Sequence, residues 1–445
     1  MTTFDAHKRF LITAAFITLL SFTLRVAGLA SQPVSFDDFD VAISAINYTE
    51  SGQLGPTMWN HPVLRNILIY YAMKFLGTGV VGVKGISLLF GTLSTLLIAL
   101  VGRRIFPDNR IALLAALFWA IDPLSIDFSR QAINDIYLAF FPLAGIYCVY
   151  RFRETADMLW LIGAGILFGC GLASKWSVLF PLAATFALLI KTIWDETKER
   201  NSERCARMVH AASVLIVLPV LIYILTFIPW FGRGYSLSEW PALQKSMFIE
   251  TSRHTGYKPD AMVGKDIKAY EWFIRPVTFI DTLFNIDRDD QVNVSTEKNV
   301  TILLAVSNPV VWLLVLPAIF FMTLRGVRER NEGLLFLSAL FLFSYVPLVV
   351  ARRPIWLNTA LSVLPFALMA TAYFVWTLAD RYAKRNRIMA LYLALVLLIA
   401  APLYLLAVGK GLHMPYVKDY LQKRYLADGS NMRHGAGATD GTGRE

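Results

Sequence analysis

Three aspartates stand where a long apolar run ends. The stretch "QPVSFDDFD" carries Asp37, Asp38 and Asp40 and directly follows "RFLITAAFITLLSFTLRVAGLA". Because such a run is long enough to cross a bilayer as a helix, the carboxylates are expected where the membrane meets water. An acidic side chain at that place could cap a helix. It could also accept a proton from a bound hydroxyl group. The local sequence leaves both explanations open.

Basic residues recur at the same kind of boundary. In "DPLSIDFSRQAINDIYLAFF", Arg130 lies at the edge of an apolar run and Asp135 lies just inside the next one. An ionisable residue that enters a span is costly, so it usually has a partner or a task, and a structural Arg–Asp pair is one explanation. In "GLASKWSVLF", Lys175 lies at a sharp turn between two short apolar runs. It could reach lipid headgroups, or it could bind a phosphate together with Arg130 and one of Arg352 or Arg353.

The elements that position these residues are predicted from composition. The chain has 445 residues, of which 56% are hydrophobic and only 17% are charged, which is unusual for a soluble protein. Apolar runs of roughly 20 residues recur from end to end. We therefore expect an all-α polytopic membrane protein with about eleven transmembrane helices. The predicted spans are about 10–30, 80–101, 110–124, 131–150, 158–173, 176–194, 209–231, 299–324, 333–350, 357–378 and 388–408.

The connecting segments alternate in charge and predict the orientation. Basic connectors such as "GRRIFPDNR", "RFRETAD" and "DRYAKRNR" all fall on one face, which the positive-inside rule makes cytoplasmic. The N-terminus is then cytoplasmic, and the C-terminus and the candidate residues are external, in a multi-pass protein of the cell membrane. Most of the net charge of +10 is explained as a sorting signal, so no nucleic-acid partner is expected.

The predicted organisation is one transmembrane domain, 1–408, with two long external segments, 31–79 and 232–298. In the first segment, "VAISAINYTESG" and "HPVLRNILIYYAMKFLG" have apolar residues at helical spacing, which predicts short helices lying on the membrane. The tail 409–445 is external, and its polar, Gly-rich part from about 427 is expected to be disordered. No cofactor and no metal site are predicted. The cluster of aspartates leaves metal binding open as an alternative.

Carboxylates and phosphate-seeking cations on one membrane face indicate a specific chemistry. A lipid-borne sugar phosphate would sit with its tail between helices and its head at the water boundary. The cations would stabilise the charge that develops on the departing phosphate. A carboxylate would accept the proton of an attacking hydroxyl, which must be held in line with the anomeric carbon.

These residues resemble those of the dolichyl-phosphate-mannose–protein mannosyltransferases and their bacterial relatives, membrane glycosyltransferases of the C-type fold. The resemblance covers most of the chain, in order. "SFDDFD" matches the family's acidic pair, and "WNHPVLRN" resembles its His-Pro-Pro-Leu segment. "FSRQAINDIYLAFF" and "GLASKWSVLF" are similar to its Ser-Arg…Asp and Lys-Trp motifs. "AYEWFIRPVTF" and "SNPVVWLL" resemble its Trp-rich and Asn-Pro-x-x-Trp segments.

The resemblance implies roles for individual residues. Asp37 becomes the catalytic base and Asp38 a second carboxylate that positions the acceptor. Arg130 and Lys175 contact the donor phosphate, with Arg352 and Arg353 as further candidates. Four residues are expected to support the site: His61 on the external helix, Asp135 holding Arg130, Trp176 beside Lys175, and Trp272. For Trp272 and its neighbour Phe273, anchoring at the headgroup level and walling the sugar site both remain open.

The implied reaction is inversion at the anomeric carbon of a polyprenyl-phosphate sugar, mannose by default, with transfer to a Ser or Thr hydroxyl of a translocating protein. An association with the secretion machinery is consistent with that acceptor. Asp38 stands where the family usually has Glu, and Val63, Arg65 and Asn66 replace residues that are usually Pro, Gly and Lys. The β-trefoil module of eukaryotic members has no room in 232–298, which indicates the bacterial type.

Two alternatives stay open. The same chemistry could serve a lipid or glycan acceptor, as in aminoarabinose transfer to lipid A or in cell-wall synthesis. A lipid transporter or flippase is less consistent with the sequence, because transporters usually place their polar residues near the bilayer middle.

Overall fold

The computed structural model describes residues 3–30, 34–55, 59–196, 201–253, 268–284, 300–351 and 355–408, and helices make up most of it. The α-helices are α1 (Thr3–Val26), α2 (Phe36–Ser51), α3 (Leu64–Leu76), α4 (Val80–Ile105), α5 (Asn109–Ile121), α6 (Pro123–Ser129), α7 (Asp135–Thr155), α8 (Met158–Leu172), α9 (Leu179–Glu196), α10 (Asn201–Ala212), α11 (Leu218–Leu225), α12 (Ile228–Phe231), α13 (Trp240–Arg253), α14 (Pro309–Trp312), α15 (Val315–Glu329), α16 (Glu332–Val350), α17 (Leu364–Ala379) and α18 (Arg385–Ala407). A π-helical turn, Ser213–Val217, joins α10 to α11, and short 3-10 helices cover Trp176–Val178, Ala269–Glu271 and Leu357–Ser362.

The chain is a multi-pass membrane protein. Within the described residues, seven helices are long and apolar enough to cross a membrane, and an eighth span is added if α5 and α6 are taken together. Two further apolar helices, α8 and α17, are shorter. The predicted helical membrane fold is therefore confirmed, and the count of eleven is not.

The third span is not the straight helix predicted over 110–124. Its two parts, α5 and α6, meet at an angle of 60°. Pro123 has no N–H to continue the helix, and the side chain of Asp122 starts a new one by accepting a hydrogen bond from Ser125 N at 2.8 Å. The second carboxylate oxygen of Asp122 accepts from Trp312 Nε1 at 2.7 Å, which fixes the bend against α14.

A small antiparallel sheet departs from the all-α prediction. Strands β1 (Val34–Ser35), β2 (Thr278–Phe284) and β3 (Val300–Val306) pair in that order. The predicted eighth span, 299–324, is consequently wrong at its start, because a mostly apolar run of seven residues fits a strand as well as a helix. Helix α14 begins only after Asn308, whose side chain accepts a hydrogen bond from Val310 N.

The two helices predicted within 31–79 are present as α2 and α3, which pack on each other. Their position on the external membrane surface stays a prediction. Tyr48 of α2 is buried and donates a hydrogen bond to Thr226 O at 2.6 Å. Burial, reinforced by the nearby Tyr223, raises the pKa of the Tyr48 hydroxyl. Leu64 N, at the start of α3, donates to Ala173 O at 2.9 Å, so α3 is attached to the turn after α8.

Helix α1 carries a buried arginine into the bundle. Arg25 has no exposed surface, and its guanidinium donates to Ser125 Oγ at 3.0 Å and to Ser129 Oγ at 3.1 Å. It also donates to the carbonyl oxygens of residues 119 and 120. A Cβ at Gly91 of α4 would lie 2.1 Å from Ser129 Oγ, so glycine alone leaves room for this group of hydrogen bonds.

Three long helices define two ends of the bundle. At the end that we call the aspartate end, α1 finishes, α2 begins, and α4 and α7 begin near Lys84 and Asp135. At the other, the arginine end, α1 begins, and α4 and α7 finish near Arg103 and Arg153. Helix α4 runs about 30 Å between Lys84 and Arg103, at the usual rise of an α-helix.

Candidate functional site

Asp38 fixes α2 at the aspartate end. Its carboxylate is 1% exposed and forms a buried ion pair with Lys84 of α4, with Oδ2 at 2.8 Å from Nζ. Its Oδ1 accepts a hydrogen bond from Ala132 N at 2.7 Å. Asp38 was expected to help position the acceptor, and that role stays a prediction. The carboxylate ties the start of α2 to the segment that joins α6 to α7.

Asp37 occupies the second position of α2, and its side chain lies outside the described residues, as do Arg352 and Arg353. The backbone of Asp37 is held one residue from the ion-paired Asp38. His61 was expected on the external helix. It lies instead in the turn before α3, partly buried.

Arg130 follows α6 and closes the end of α1. Its side chain is buried, and Nη1 donates to Arg25 O at 2.7 Å and to Ala27 O at 2.8 Å. Cations at a helix C-terminus are favourable because the last carbonyl groups carry partial negative charge. Arg130 therefore stabilises the end of the first span, and its contact with a donor phosphate stays a prediction.

Lys175 and Asp135 form the ion pair at the centre of the candidate site. Lys175 Nζ lies 2.6 Å from Asp135 Oδ1 and 3.4 Å from Thr359 Oγ1. Asp135 Oδ2 accepts from Asn358 Nδ2 at 2.9 Å. The expectation that Asp135 holds Arg130 is thus wrong: among the described residues, both oxygens of Asp135 serve Lys175 and Asn358. The reason is tertiary, because the turn after α8 brings Lys175 over the N-terminus of α7.

That turn is itself anchored. Asn134, just before α7, donates through Nδ2 to Ser174 O at 3.1 Å. The segment 130–135 therefore joins four predicted site residues: it begins with Arg130, bonds Asp38 through Ala132 N, and ends with Asp135, the partner of Lys175. The fold thus brings together Asp38, Arg130, Asp135 and Lys175. Their order along the chain does not by itself predict this.

The two tryptophans predicted to support the site, Trp176 and Trp272, contact other aromatic residues. Trp176 follows Lys175 in a 3-10 turn, and its Nε1 donates to Tyr223 OH at 2.9 Å, toward α11. Trp272 is completely buried, 6.3 Å from Tyr345 between ring centroids. Trp272 and the buried Phe273 therefore belong to the packing against α16. Of the two roles left open for them, anchoring at the headgroup level does not fit this burial, and walling the sugar site stays a prediction.

Three functional candidates were missed by the sequence analysis. Asn358 and Thr359 belong to the 3-10 helix before α17, and nothing in "WLNTALS" marks them. Lys84 could have been found, because it is the only charged residue in the apolar run "VVGVKGISLLF", and such a residue normally has a partner. Over the described residues, no group of three or more His, Cys, Asp or Glu side chains could hold a metal ion.

The ion pair of Lys175 and Asp135 can bind an anion close to α2, the helix that carries Asp37 and Asp38. The Lys175 side chain is 16% exposed, so it is only partly buried, and its ammonium is held in place by Asp135. An ammonium has three donors. Two point to Asp135 and Thr359, and the third has no acceptor among the described residues.

Comparison with known proteins relates the chain to membrane glycosyltransferases. Residues 15–232 match the sequence model of the family described as dolichyl-phosphate-mannose-protein mannosyltransferase. A polyprenol-phosphate-mannose–protein mannosyltransferase of Mycolicibacterium smegmatis is 21% identical over 319 residues, 61% of each chain. The matched part of the chain thus spans less than two thirds of that relative's length.

Two solved structures share the fold. One is the Saccharomyces cerevisiae protein O-mannosyltransferase Pmt1–Pmt2 complex bound to the sugar donor, with a TM-score of 0.64, 12% identity and coverage of 90% of both chains. The other is ArnT from Cupriavidus metallidurans bound to undecaprenyl phosphate, with a TM-score of 0.50, 14% identity and coverage of 96% of this chain and 76% of ArnT. The C-type glycosyltransferase fold expected from the sequence is confirmed.

Proposed function

We propose that this chain is a member of the dolichyl-phosphate-mannose-protein mannosyltransferase family, whose sequence model its residues 15–232 match. In this proposal it transfers a sugar from a polyprenyl-phosphate donor to a Ser or Thr hydroxyl of a protein. The relative from Mycolicibacterium smegmatis is named for a polyprenol-phosphate-mannose donor and a protein acceptor, which makes mannose the first sugar to test. The observation that carries the proposal is the ion pair of Lys175 and Asp135, joined through one short segment to the helix of Asp37.

In the proposed reaction, the Asp37 carboxylate accepts the proton of the acceptor hydroxyl. The hydroxyl oxygen then forms a bond to the anomeric carbon, and the bond from that carbon to the phosphate oxygen breaks with inversion. Lys175 stabilises the negative charge left on the polyprenyl phosphate, because a fixed cation in a water-poor site acts more strongly than one in water. Arg130, Arg352 and Arg353 are further candidates for contact with the phosphate.

The buried pair of Asp38 and Lys84 supports this reaction indirectly. It holds the first turn of α2, so the backbone beside it is fixed before substrate binds. Holding the reacting groups in line supplies a large part of the acceleration in such a displacement. We therefore assign Asp38 a positioning role.

We place the arginine end in the cytoplasm and the aspartate end outside, since basic connectors are retained on the cytoplasmic side. A protein acceptor would then meet the site as it leaves the secretion machinery. The test is labelling with a membrane-impermeant maleimide: Lys74→Cys should react in intact cells, and Arg387→Cys should react only after lysis. The reverse pattern would invert the topology.

The test of the activity is transfer from a lipid-linked mannose donor to an acceptor peptide in membranes that contain the full chain. Asp37→Asn should lower the rate about 10²- to 10⁴-fold, the usual contribution of a general base. Asp40→Asn, three residues along the same helix, is the matched control and should stay within about threefold of wild type. Full activity of Asp37→Asn would remove Asp37 from the mechanism.

A lipid or glycan acceptor is the second candidate. The observation that favours it lies in α3, where Arg65 and Asn66 are buried and hydrogen-bonded to each other at 3.2 Å. These residues stand where the sequence departs from the pattern of the protein mannosyltransferases. Comparing the glycans of secreted proteins with those of envelope lipids in a deletion strain distinguishes the two acceptors.

A further inference from the structure

A large cavity opens at the arginine end, about 30 Å along the bundle from the candidate active site. Its volume is about 980 Å³, at the upper end of the range for small-molecule sites. Helices α1, α4, α7, α9 and α16 contribute to its wall. The ionisable residues of the wall are His7, Arg103, Arg104, Arg151, Arg153, Glu154 and Glu332.

Positive charge predominates in this wall. Its two glutamates are both engaged: Glu154 pairs with Arg104 and Arg151 at 2.8 and 2.7 Å. Glu332 pairs with Arg153, and also with Lys191 at 3.1 Å from outside the cavity. The carboxylates are thus shared among more cations than they can neutralise.

Arg103 differs from the other three cavity arginines in its contacts with the described residues. In the described part of the chain, its guanidinium makes no ion pair or hydrogen bond and lies over the ring of Phe10, 4.8 Å from the centroid. Arg103 lines the cavity and is half-buried, so a ligand bound there could accept hydrogen bonds from its guanidinium.

The guanidinium groups of the cavity are also held in place. A signal for membrane orientation does not require such fixed positions. Each of the four cavity arginines lies over an aromatic ring: Arg103 over Phe10, Arg104 over Tyr147, Arg151 over Trp160 and Arg153 over Tyr150, at 4.5 to 5.6 Å from the centroids. Orientation signals need only positive charge near a span, and exposed side chains provide it. Stacked and fixed guanidinium groups are instead typical of sites that bind phosphate.

The N-terminus of α16 adds to this field. Asn331 and Gly333 line the cavity, and Asn331 caps the helix by accepting a hydrogen bond from Leu334 N at 3.1 Å. A helix N-terminus carries partial positive charge and favours anions. Leu11 of α1 also lines the cavity and is 41% exposed, and we call this part of the wall the apolar rim.

We propose that this cavity binds an anionic phosphate group, with Arg103 as its principal donor and α16 directed at the same space. The ligand is a lipid headgroup or a phosphate free in solution, and both present the same oxygen atoms to the arginines. The apolar rim favours the lipid over the free phosphate, because the acyl chains of a lipid could pass beside Leu11 into the bilayer. The proposal is independent of the transferase reaction, which takes place at the other end of the bundle.

The test uses the full chain purified in a neutral detergent and a fluorescent short-chain phosphatidic acid, with binding followed by anisotropy. Arg103→Gln should weaken binding about tenfold or more, as expected when one charge-assisted hydrogen bond is lost. Arg103→Lys, which keeps the charge, should recover part of the affinity. Arg387→Gln removes an exposed arginine outside the cavity wall and is the matched control.

A second variant guards against a folding defect at Arg103. Leu11→Trp fills the rim without changing charge and should weaken binding while the thermal unfolding stays unchanged. Displacement of the probe by millimolar inorganic phosphate identifies a free phosphate group as a ligand. Displacement by phosphatidic acid alone, and not by phosphatidylcholine, identifies an anionic headgroup. Equal binding by wild type and Arg103→Gln, or an equal loss in Arg387→Gln, would overturn the proposal.

Discussion

Lys175 Nζ lies 2.6 Å from Asp135 Oδ1, although 40 residues separate the two along the chain. The contact joins the turn after α8 to the N-terminus of α7. It also gives Asp135 a different task from the one expected, since the aspartate orients a lysine that it meets only in the folded bundle.

The first prediction concerns this pair. Lys175→Met should lower kcat/KM for the lipid donor about ten- to hundredfold, because a hydrogen bond to a charged group contributes about 1.5–3 kcal/mol. Asp135→Asn should cost about tenfold. The double variant should be no worse than Lys175→Met, since the two residues act as a unit. Steady-state transfer assays measure these values.

Lys191→Met is the control, because Lys191 lies on α9 at the arginine end and pairs with Asp195 and Glu332. Its kinetics should match those of wild type. Additive losses in the double variant of Lys175 and Asp135 would contradict the positioning role of Asp135.

The second prediction compares two glycines of α4. Gly91→Ala should destabilise the protein by about 1–3 kcal/mol, the usual cost of overpacking, because the new Cβ would lie 2.1 Å from Ser129 Oγ and 3.0 Å from Arg25 Nε. At Gly85 the nearest atom is 3.8 Å away, so Gly85→Ala should be tolerated. Thermal unfolding in detergent, followed by tryptophan fluorescence, measures both. Equal midpoints would show that the hydrogen bonds of Arg25 adapt to the methyl group.

The third prediction concerns the buried pair of Lys84 and Asp38. Lys84→Met should cost about 3–5 kcal/mol, because it leaves a carboxylate without its cation in the protein interior. Adding Asp38→Asn should restore part of the loss, since the amide oxygen can still accept from Ala132 N. Lys74→Met, on an exposed part of α3, is the control for the thermal-unfolding measurement. If Lys74→Met lowers the unfolding midpoint as much as Lys84→Met does, the ion pair of Lys84 and Asp38 makes no specific contribution to stability.

The fourth prediction concerns the bend between α5 and α6. Trp312→Phe keeps the ring packing but removes the donor to Asp122 Oδ2, which should cost about 1–3 kcal/mol for a buried acceptor. Trp194→Phe, at a side chain 51% exposed, should leave the unfolding temperature nearly unchanged. A similar midpoint for the two variants would mean that the bend does not depend on this hydrogen bond.

The sequence predicted the membrane helices well where apolar runs are long, as in α1, α4 and α18. It failed for Val300–Val306, because a run of seven residues, apolar except for Thr301, fits a strand as well as a helix. The partner strand also lies elsewhere in the chain. The types of the site residues were predictable, since charges at the edge of a span need a reason. Their pairing was not: whether Asp135 meets Arg130 or Lys175 depends on how α8 returns to α7.

Arg25 has a consequence for how the protein is made. Its hydrogen-bond acceptors outside α1, from Trp119 to Ser129, follow it by 94 to 104 residues. The ribosome therefore completes the first helix well before any of these acceptors exist. Until α6 has been synthesised, the nascent chain must keep this guanidinium in water, among headgroups or with the insertion apparatus. Helix α1 thus reaches its final packed position only after the third apolar segment has left the ribosome.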